Sequence, residues 1–142
     1  MINLLSGVDS TTAALTAERI RMDVVSENIA NANVTRGADG KPYQRQHVVF
    51  ETVLKQQQTG LDAQPQAVQV ARIEKDNRPP QKIYNPGHPD ADENGMVAMP
   101  NVNIHEEMAD LIASSRAFDA NLAVMKNARA MALQTLSIGK RS

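Results

Sequence analysis

The run Asp90-Ala-Asp92-Glu-Asn94-Gly95 comes nearest in this chain to a known ligand geometry. Side-chain oxygens at alternate places followed by glycine match the opening of an EF-hand loop, and Val97 fits the apolar place after it. The twelfth place, where a bidentate glutamate belongs, holds Asn101, and Pro86 and Pro89 forbid the usual entering helix. The plainer reading is a turn, because Asp, Asn and Gly favour turns for backbone reasons. His88 lies beside this run, His47 falls in an expected strand and His105 in the first turn of an expected helix, with no His-x-x-x-His spacing among them. No metal site is expected; a Ca²⁺-binding interaction module using Asp90, Asp92 and Asn94 stands as the alternative reading.

Nucleophilic chemistry has less to build on. There is no Gly-x-Ser-x-Gly elbow, and Ser114 and Ser115 fall within an expected helix, where small residues serve close packing. Gly37-Ala-Asp-Gly40 is a turn and not a phosphate-binding loop. Cysteine is absent, which removes disulfides, thiolate metal sites and Cys nucleophiles. No catalytic residue and no cofactor is expected. A hydrolase built on His88 and the neighbouring aspartates would be a third reading.

Fifteen Lys and Arg against 16 Asp and Glu give a net charge of -1 with the signs interspersed, which disfavours a nucleic-acid module. The 142 residues are 42% hydrophobic, so the chain has material for a core. Only 3% are aromatic (Tyr43, Phe50, Tyr84, Phe118), so neighbouring chains are expected to complete the apolar packing. No Lys or Arg precedes Arg19 and no apolar run follows the start, so no cleavable secretory signal is expected. No stretch approaches the roughly 20 apolar residues of a membrane span.

The elements that must position these residues divide in three. All seven prolines lie between Pro42 and Pro100, leaving both ends free for helices. The first helix is expected from about residue 4 to 32, with a stripe through Leu4, Val8, Leu15, Met22, Val25 and Ile29 that also carries Thr11, Glu18 and Ala32. The second starts at Ile104 behind an Asn103/Glu106 capping box and runs about 35 residues, roughly 50 Å. Its stripe passes through Met108, Leu111, Ser115, Phe118, Leu122, Met125, Arg129, Ala132 and Leu136, a coiled-coil-like seam too long for so small a chain to cover. Between the helices, strands are expected at 43–50, 68–74, 82–84 and 96–99, with a polar loop over Lys55–Gln66. The fold class is α+β: two long terminal helices packed as a coiled-coil-like hairpin, with a small β-rich, Pro/Gly-rich insertion. The expected regions are an assembly helix at 1–35, a β-rich middle at 36–101 and a second assembly helix at 102–142. Asn28, Asn31 and Asn33 are polar residues that can fix the register of packed helices.

Ser26-Glu-Asn28-Ile-Ala-Asn31-Ala-Asn33-Val34 resembles the signature of the bacterial flagellar rod and hook (axial) protein family, close to SxNLANxxT. Gly40-Lys-Pro-Tyr43-Gln-Arg45-Gln-His-Val-Val-Phe-Glu51 and Tyr84-Asn-Pro86-Gly-His88-Pro89-Asp90-Ala-Asp92-Glu-Asn94-Gly95 are similar to the proximal-rod members of that family. Pro100-Asn-Val-Asn103, Glu107-Met108 and Ala113-Ser-Ser-Arg116-Ala-Phe118-Asp-Ala-Asn121 extend the likeness over nearly the whole chain. Phe118 stands where a tyrosine is expected, which removes a hydroxyl and leaves the packing, and Gly87 departs at a position that varies.

The resemblance implies a structural subunit, exported unfolded by the flagellar type III apparatus and polymerised helically in the periplasm. The implied partners are copies of itself and other rod subunits. The MS ring and export apparatus would lie at the base, and ring proteins would surround the rod. The residues expected at subunit interfaces are the stripe positions Leu4, Val8, Leu15, Met22, Val25, Ile29, Met108, Leu111, Ser115, Phe118, Leu122, Met125 and Leu136, with Asn28, Asn31, Asn33 and Asn121. The helices are expected to be poorly ordered until assembly covers their seams.

Overall fold

A computed structural model gives the architecture and describes residues 4–53 and 67–139. The order is α1 (Leu4–Ala30), β1 (Gln46–Val53), β2 (Ala67–Lys75), β3 (Gln81–Tyr84), β4 (Met96–Met99) and α2 (Ile104–Gly139). This is an α+β arrangement of two long helices and two small antiparallel sheets. The loop expected over Lys55–Gln66 lies outside the described residues.

The helices pair antiparallel: Asn28 of α1 meets Glu107 of α2, and Arg21, two turns back in α1, meets Asp110. α1 stops at Ala30, where the amides of Asn31 and Ala32 close a last turn onto Glu27 and Ile29. α2 starts behind Asn103, whose side-chain oxygen accepts the His105 amide at 3.1 Å while its side-chain amide donates to Glu106 at 3.2 Å. This differs from the expected capping box, in which the cap oxygen reaches one residue further and the glutamate bonds the cap's backbone amide. Glu106 and Glu107 in the first turn also suit the positive end of the helix dipole.

β1 and β2 form one ladder, from Gln46 opposite Lys75 to Val53 opposite Ala67, with a bulge between Val49 and Phe50. β1 begins later than the sequence suggests. The Tyr43 amide donates to the Val34 carbonyl and the Arg45 amide to the Asn101 side chain, so these residues join the helix junction and not the ladder. Val48 lies opposite Ile73 and Phe50 opposite Val70, which gathers an apolar face on one side of the hairpin. β3 and β4 pair from Gln81–Met99 to Tyr84–Met96. Gly95 closes their connection at φ 73°, with the Tyr84 ring and Pro86 against the place a Cβ would occupy.

The core is thin. Among the described residues its buried apolar members are Ala17, Val24, Val25 and Ala32 on the first helix and its exit, with Val97, Pro100 and Val102 ahead of α2. None is aromatic, in keeping with the composition.

Candidate assembly interface

At the junction of α1, β1 and α2, sequence-distant polar residues form one network around the buried side chains of Asn28, Asn101 and Glu107. Asn28 is 0% exposed and uses its whole amide. Its nitrogen donates to Glu107 Oε2 at 2.9 Å and to the Gln46 carbonyl at 2.7 Å; its oxygen accepts from the Tyr43 hydroxyl and the Gln46 amide, each at 2.9 Å. Glu107, also 0% exposed, accepts Arg45 Nε at 2.6 Å on its other oxygen. Arg45 reaches Asp76 at 3.6 Å and Asp110 at 3.8 Å, and Asp110 pairs with Arg21 at 3.2 Å. Asp76 is held by the backbone amide of Arg78 at 3.0 Å and by its guanidinium at 2.8 Å. Asn101 ties the set to the chain entering α2, accepting the Arg45 amide and donating to the carbonyls of Asp76 and Arg78. Three arginines thus face three carboxylates, so the node is electrically balanced without outside partners.

The titrations follow from these contacts. Burial works against the Arg45 charge, but the Glu107 hydrogen bond and the attraction of Glu107, Asp76 and Asp110 outweigh it and hold the guanidinium above its ordinary value. The Asp76 carboxyl sits below its ordinary range, chiefly because the Arg78 amide donates to it. Desolvation, reinforced by Glu27, raises the Tyr43 hydroxyl, which stays protonated as the donor to Asn28.

The other end of the hairpin has the opposite chemistry. α2, with 36 residues, is longer than α1, with 27, and residues 131–138 are all exposed. Met131, Leu133, Leu136 and Ile138 are 56–69% exposed, and no charged residue lies between Arg129 and Lys140. The Thr135 hydroxyl donates to the Met131 carbonyl and Ser137 to Gln134, so even the hydroxyls are turned into the helix. α1 repeats this at its own far end. Thr11, Thr12 and Thr16 donate back to Gly7, Val8 and Thr12, and Asp9 is the one charged residue before Glu18.

A groove of about 600 Å³ opens beside the node, between α1 and β1. Val24, Val25, Val48 and Phe50 line it together with the polar residues Arg21, Arg45, Gln46, His47, Asp76 and Asp110.

The residues expected at interfaces distribute over these regions. Val25 and Asn28 are buried, and Val8, Leu15, Met22 and Ile29 are half-buried. Leu111, Phe118, Asn121, Leu122 and Met125 are half-buried, whereas Met108, Ser115 and Leu136 are exposed. The face that α2 turns inward runs through Glu107, Leu111, Ser114, Phe118, Asn121, Met125 and Ala128, displaced from the expected stripe near the helix start. Ser114 fits there because its hydroxyl bonds back to the Asp110 carbonyl at 2.8 Å. The three asparagines part company: Asn28 anchors the node, Asn31 donates to the Glu27 carbonyl of its own helix, and Asn33 is exposed. The side chain of Leu4 lies outside the described residues. Arg45, Glu107, Asp76 and Asn101 are site residues that no local pattern marks, since the partnership of Arg45 with Glu107 spans 62 residues, beyond any spacing rule.

The acidic loop is a turn. Asp92 Oδ1 accepts the amides of Asn94 and Met96 at 2.9 Å, while Asp90 accepts Thr35 at 2.8 Å and pairs with Arg36 at 2.7 Å. The Asp90 amide in turn donates to His88 Nδ1 at 3.1 Å. Among the described residues no group of three or more His, Cys, Asp or Glu is placed to hold a metal ion.

Comparison with known proteins supplies the context. Residues 10–38 match the family described as flagella basal body rod protein, and residues 93–138 match the flagellar basal body rod FlgEFG protein C-terminal family. The flagellar basal-body rod protein FlgC of Borreliella burgdorferi is 39% identical, covering 96% of this chain and 98% of that protein. The chain belongs to the FlgC family of flagellar basal-body rod proteins. FlgC of Salmonella typhimurium is 38% identical over 96% of this chain and 98% of its own, and FlgC of Bacillus subtilis 37% over 92% and 94%. The two matched regions of this FlgC-family chain hold most of α1 and nearly all of α2, the elements that carry Asn28 and Glu107 of the node and the charge-free end.

Proposed function

We propose that this structural rod subunit of the flagellar basal body builds the proximal rod by helical assembly with copies of itself and with other rod proteins. The observation that carries the reading is the charge-free, exposed end of α2, whose apolar side chains find no cover among the described residues of the chain. Burying a side chain of this size contributes about 1.5–3 kcal/mol before ordering costs are subtracted. The two helices act as one assembly core, pairing in a coiled-coil-like seam, and the β-rich middle forms an arm outside the tube. Contacts between unlike faces produce an open array and not a closed ring. The subunit takes its place in the periplasm. The MS ring and export apparatus lie at its base, with ring proteins around it. The relatives are rod proteins, and no catalytic role is assigned.

Leu122→Asp tests the reading in motile cells. The variant is expected to be secreted, to be missing from purified basal bodies and to abolish swimming. Normal swimming with Leu122→Asp in the rod would refute the role given to the helical seam.

A further inference from the structure

The charges of the helical hairpin are sorted along its length. The half beside the junction, residues 18–30 of α1 and 104–119 of α2, holds seven carboxylates and three arginines. The far half, residues 4–17 and 120–139, holds only Asp9, Lys126 and Arg129. Ion pairs within the chain do not remove this separation. Arg21 and Arg45 answer Asp110 and Glu107. Asp23 and Glu27 are exposed, lie one turn apart on the same face of α1 and have no cationic partner among the described residues. Lys126 and Arg129 are exposed, three residues apart on α2, and likewise without an anionic partner among the described residues.

The acidic and basic patches cannot meet within one chain. The Asn28–Glu107 hydrogen bond sets these two residues level with each other across the hairpin. About 28 Å of continuous helix then separates Glu107 from Lys126 at about 1.5 Å per residue. Two hairpins laid side by side and level would set carboxylate against carboxylate, which repels. Slid by that length, one hairpin brings its basic patch onto the other's acidic patch.

We propose that Lys126 and Arg129 of one copy of this chain dock on Asp23 and Glu27 of a second copy, so that neighbouring hairpins lie parallel and displaced by about 28 Å. The inference rests on the rod-subunit reading and adds to it a register and a named contact. The contact joins unlike faces, so it repeats along an array without closing. Ion pairs this exposed add little affinity. They steer the approach, set the register and reject the level arrangement.

Carbodiimide treatment of purified basal bodies tests the contact in the unmodified chain. The reagent condenses an ammonium with a touching carboxylate into an amide. Lys126 is the one lysine between Lys82 and Lys140, so its peptide is unambiguous. An amide between Lys126 and Asp23 or Glu27 is expected by peptide mass spectrometry, and the distance along the hairpin makes it a link between copies. Lys126 joined only to Asp9 or to a different protein, or left unjoined in basal bodies that contain the chain, would overturn the inference. Charge reversal is the second test. Lys126→Glu with Arg129→Glu is expected to lower severalfold the amount of chain in basal bodies and to impair swimming, while the urea midpoint of the isolated chain stays that of the parent. Adding Asp23→Lys and Glu27→Lys is expected to restore both. Unimpaired swimming of the first variant, or no restoration in the second at an unchanged urea midpoint, would overturn the contact. Absence of the unmodified chain from purified basal bodies would instead refute the rod-subunit reading, and the inference with it.

Discussion

Replacing Asn28 with alanine should cost far more than its size suggests. The truncation removes four hydrogen bonds at once. Glu107 Oε2 loses its partner while remaining fully buried, and the amide and carbonyl of Gln46 lose theirs. The Tyr43 hydroxyl keeps a weak contact to Gln46 Nε2 at 3.4 Å. A buried polar group left without a partner costs about 1–3 kcal/mol, and more when charged. Glu107 bears the full penalty, while half-buried Gln46 is partly relieved by water. The sum is about 3–5 kcal/mol, a large share of the roughly 5–15 kcal/mol that holds an ordinary domain. Urea denaturation of the purified chain near neutral pH, followed by circular dichroism, measures it. Asn33→Ala is the matched control and should stay within about 0.5 kcal/mol, since Asn33 is exposed. Asn28→Asp should be at least as damaging as alanine, because it removes both donors and sets a second carboxylate against Glu107. A midpoint for Asn28→Ala within error of the parent, or a cost equal to that of Asn33→Ala, would refute the claim that the node holds the junction.

Gly95→Ala should lower the melting temperature, since φ 73° costs an L-residue about 1–2 kcal/mol and the new Cβ would stand 3.0 Å from Tyr84 Cε2; Gly40→Ala, at the same φ with open space around it, should cost less. Acid should weaken the node through Asp76. Its folded-state pKa lies below the ordinary 3.8, so its contribution is present above that value and is lost as the pH falls through 3.8 towards the lower folded value. Asp76→Asn should therefore be less stable than the parent near neutrality, with a gap that narrows below 3.8, read from urea midpoints across that range.

The order of elements could be read from the sequence because it rests on local signals. Prolines confined to the middle, Asn103 before a long periodic run, and Asp39-Gly40 before a β-rich stretch placed both helices and all four strands within a few residues. The inward face of α2 could not be read in the same way. A stripe chosen by apolarity passes over Glu107 and Ser114, yet both are wholly buried. Glu107 is buried because Arg45 and Asn28 reach it from the far side of the chain, and Ser114 because its hydroxyl bonds to its own helix. Asn28 was legible as a polar residue that fixes register, but its partners were not, since Tyr43, Gln46 and Glu107 are brought to it only by folding.

The two ends of the hairpin divide the molecule's free energy between folding and assembly. At the junction, the polar groups of Asn28, Arg45, Asp76, Asn101 and Glu107 find their partners within one chain, so their contribution is complete before any neighbour arrives. At the far end, Met131, Leu133, Leu136 and Ile138 gain little from the chain's own folding, because no element among the described residues covers them. Their burial is realised only when another surface is supplied. The two sets share no residue, and Glu107 and Met131 lie about 36 Å apart along α2 at about 1.5 Å per residue, far enough for their effects to be nearly independent. A change at Asn28 therefore acts on the isolated chain, and a charge placed at Leu136 acts on incorporation while the isolated chain keeps its stability. One pair of helices can in this way hold the subunit's shape at one end and keep the surface for assembly in reserve at the other.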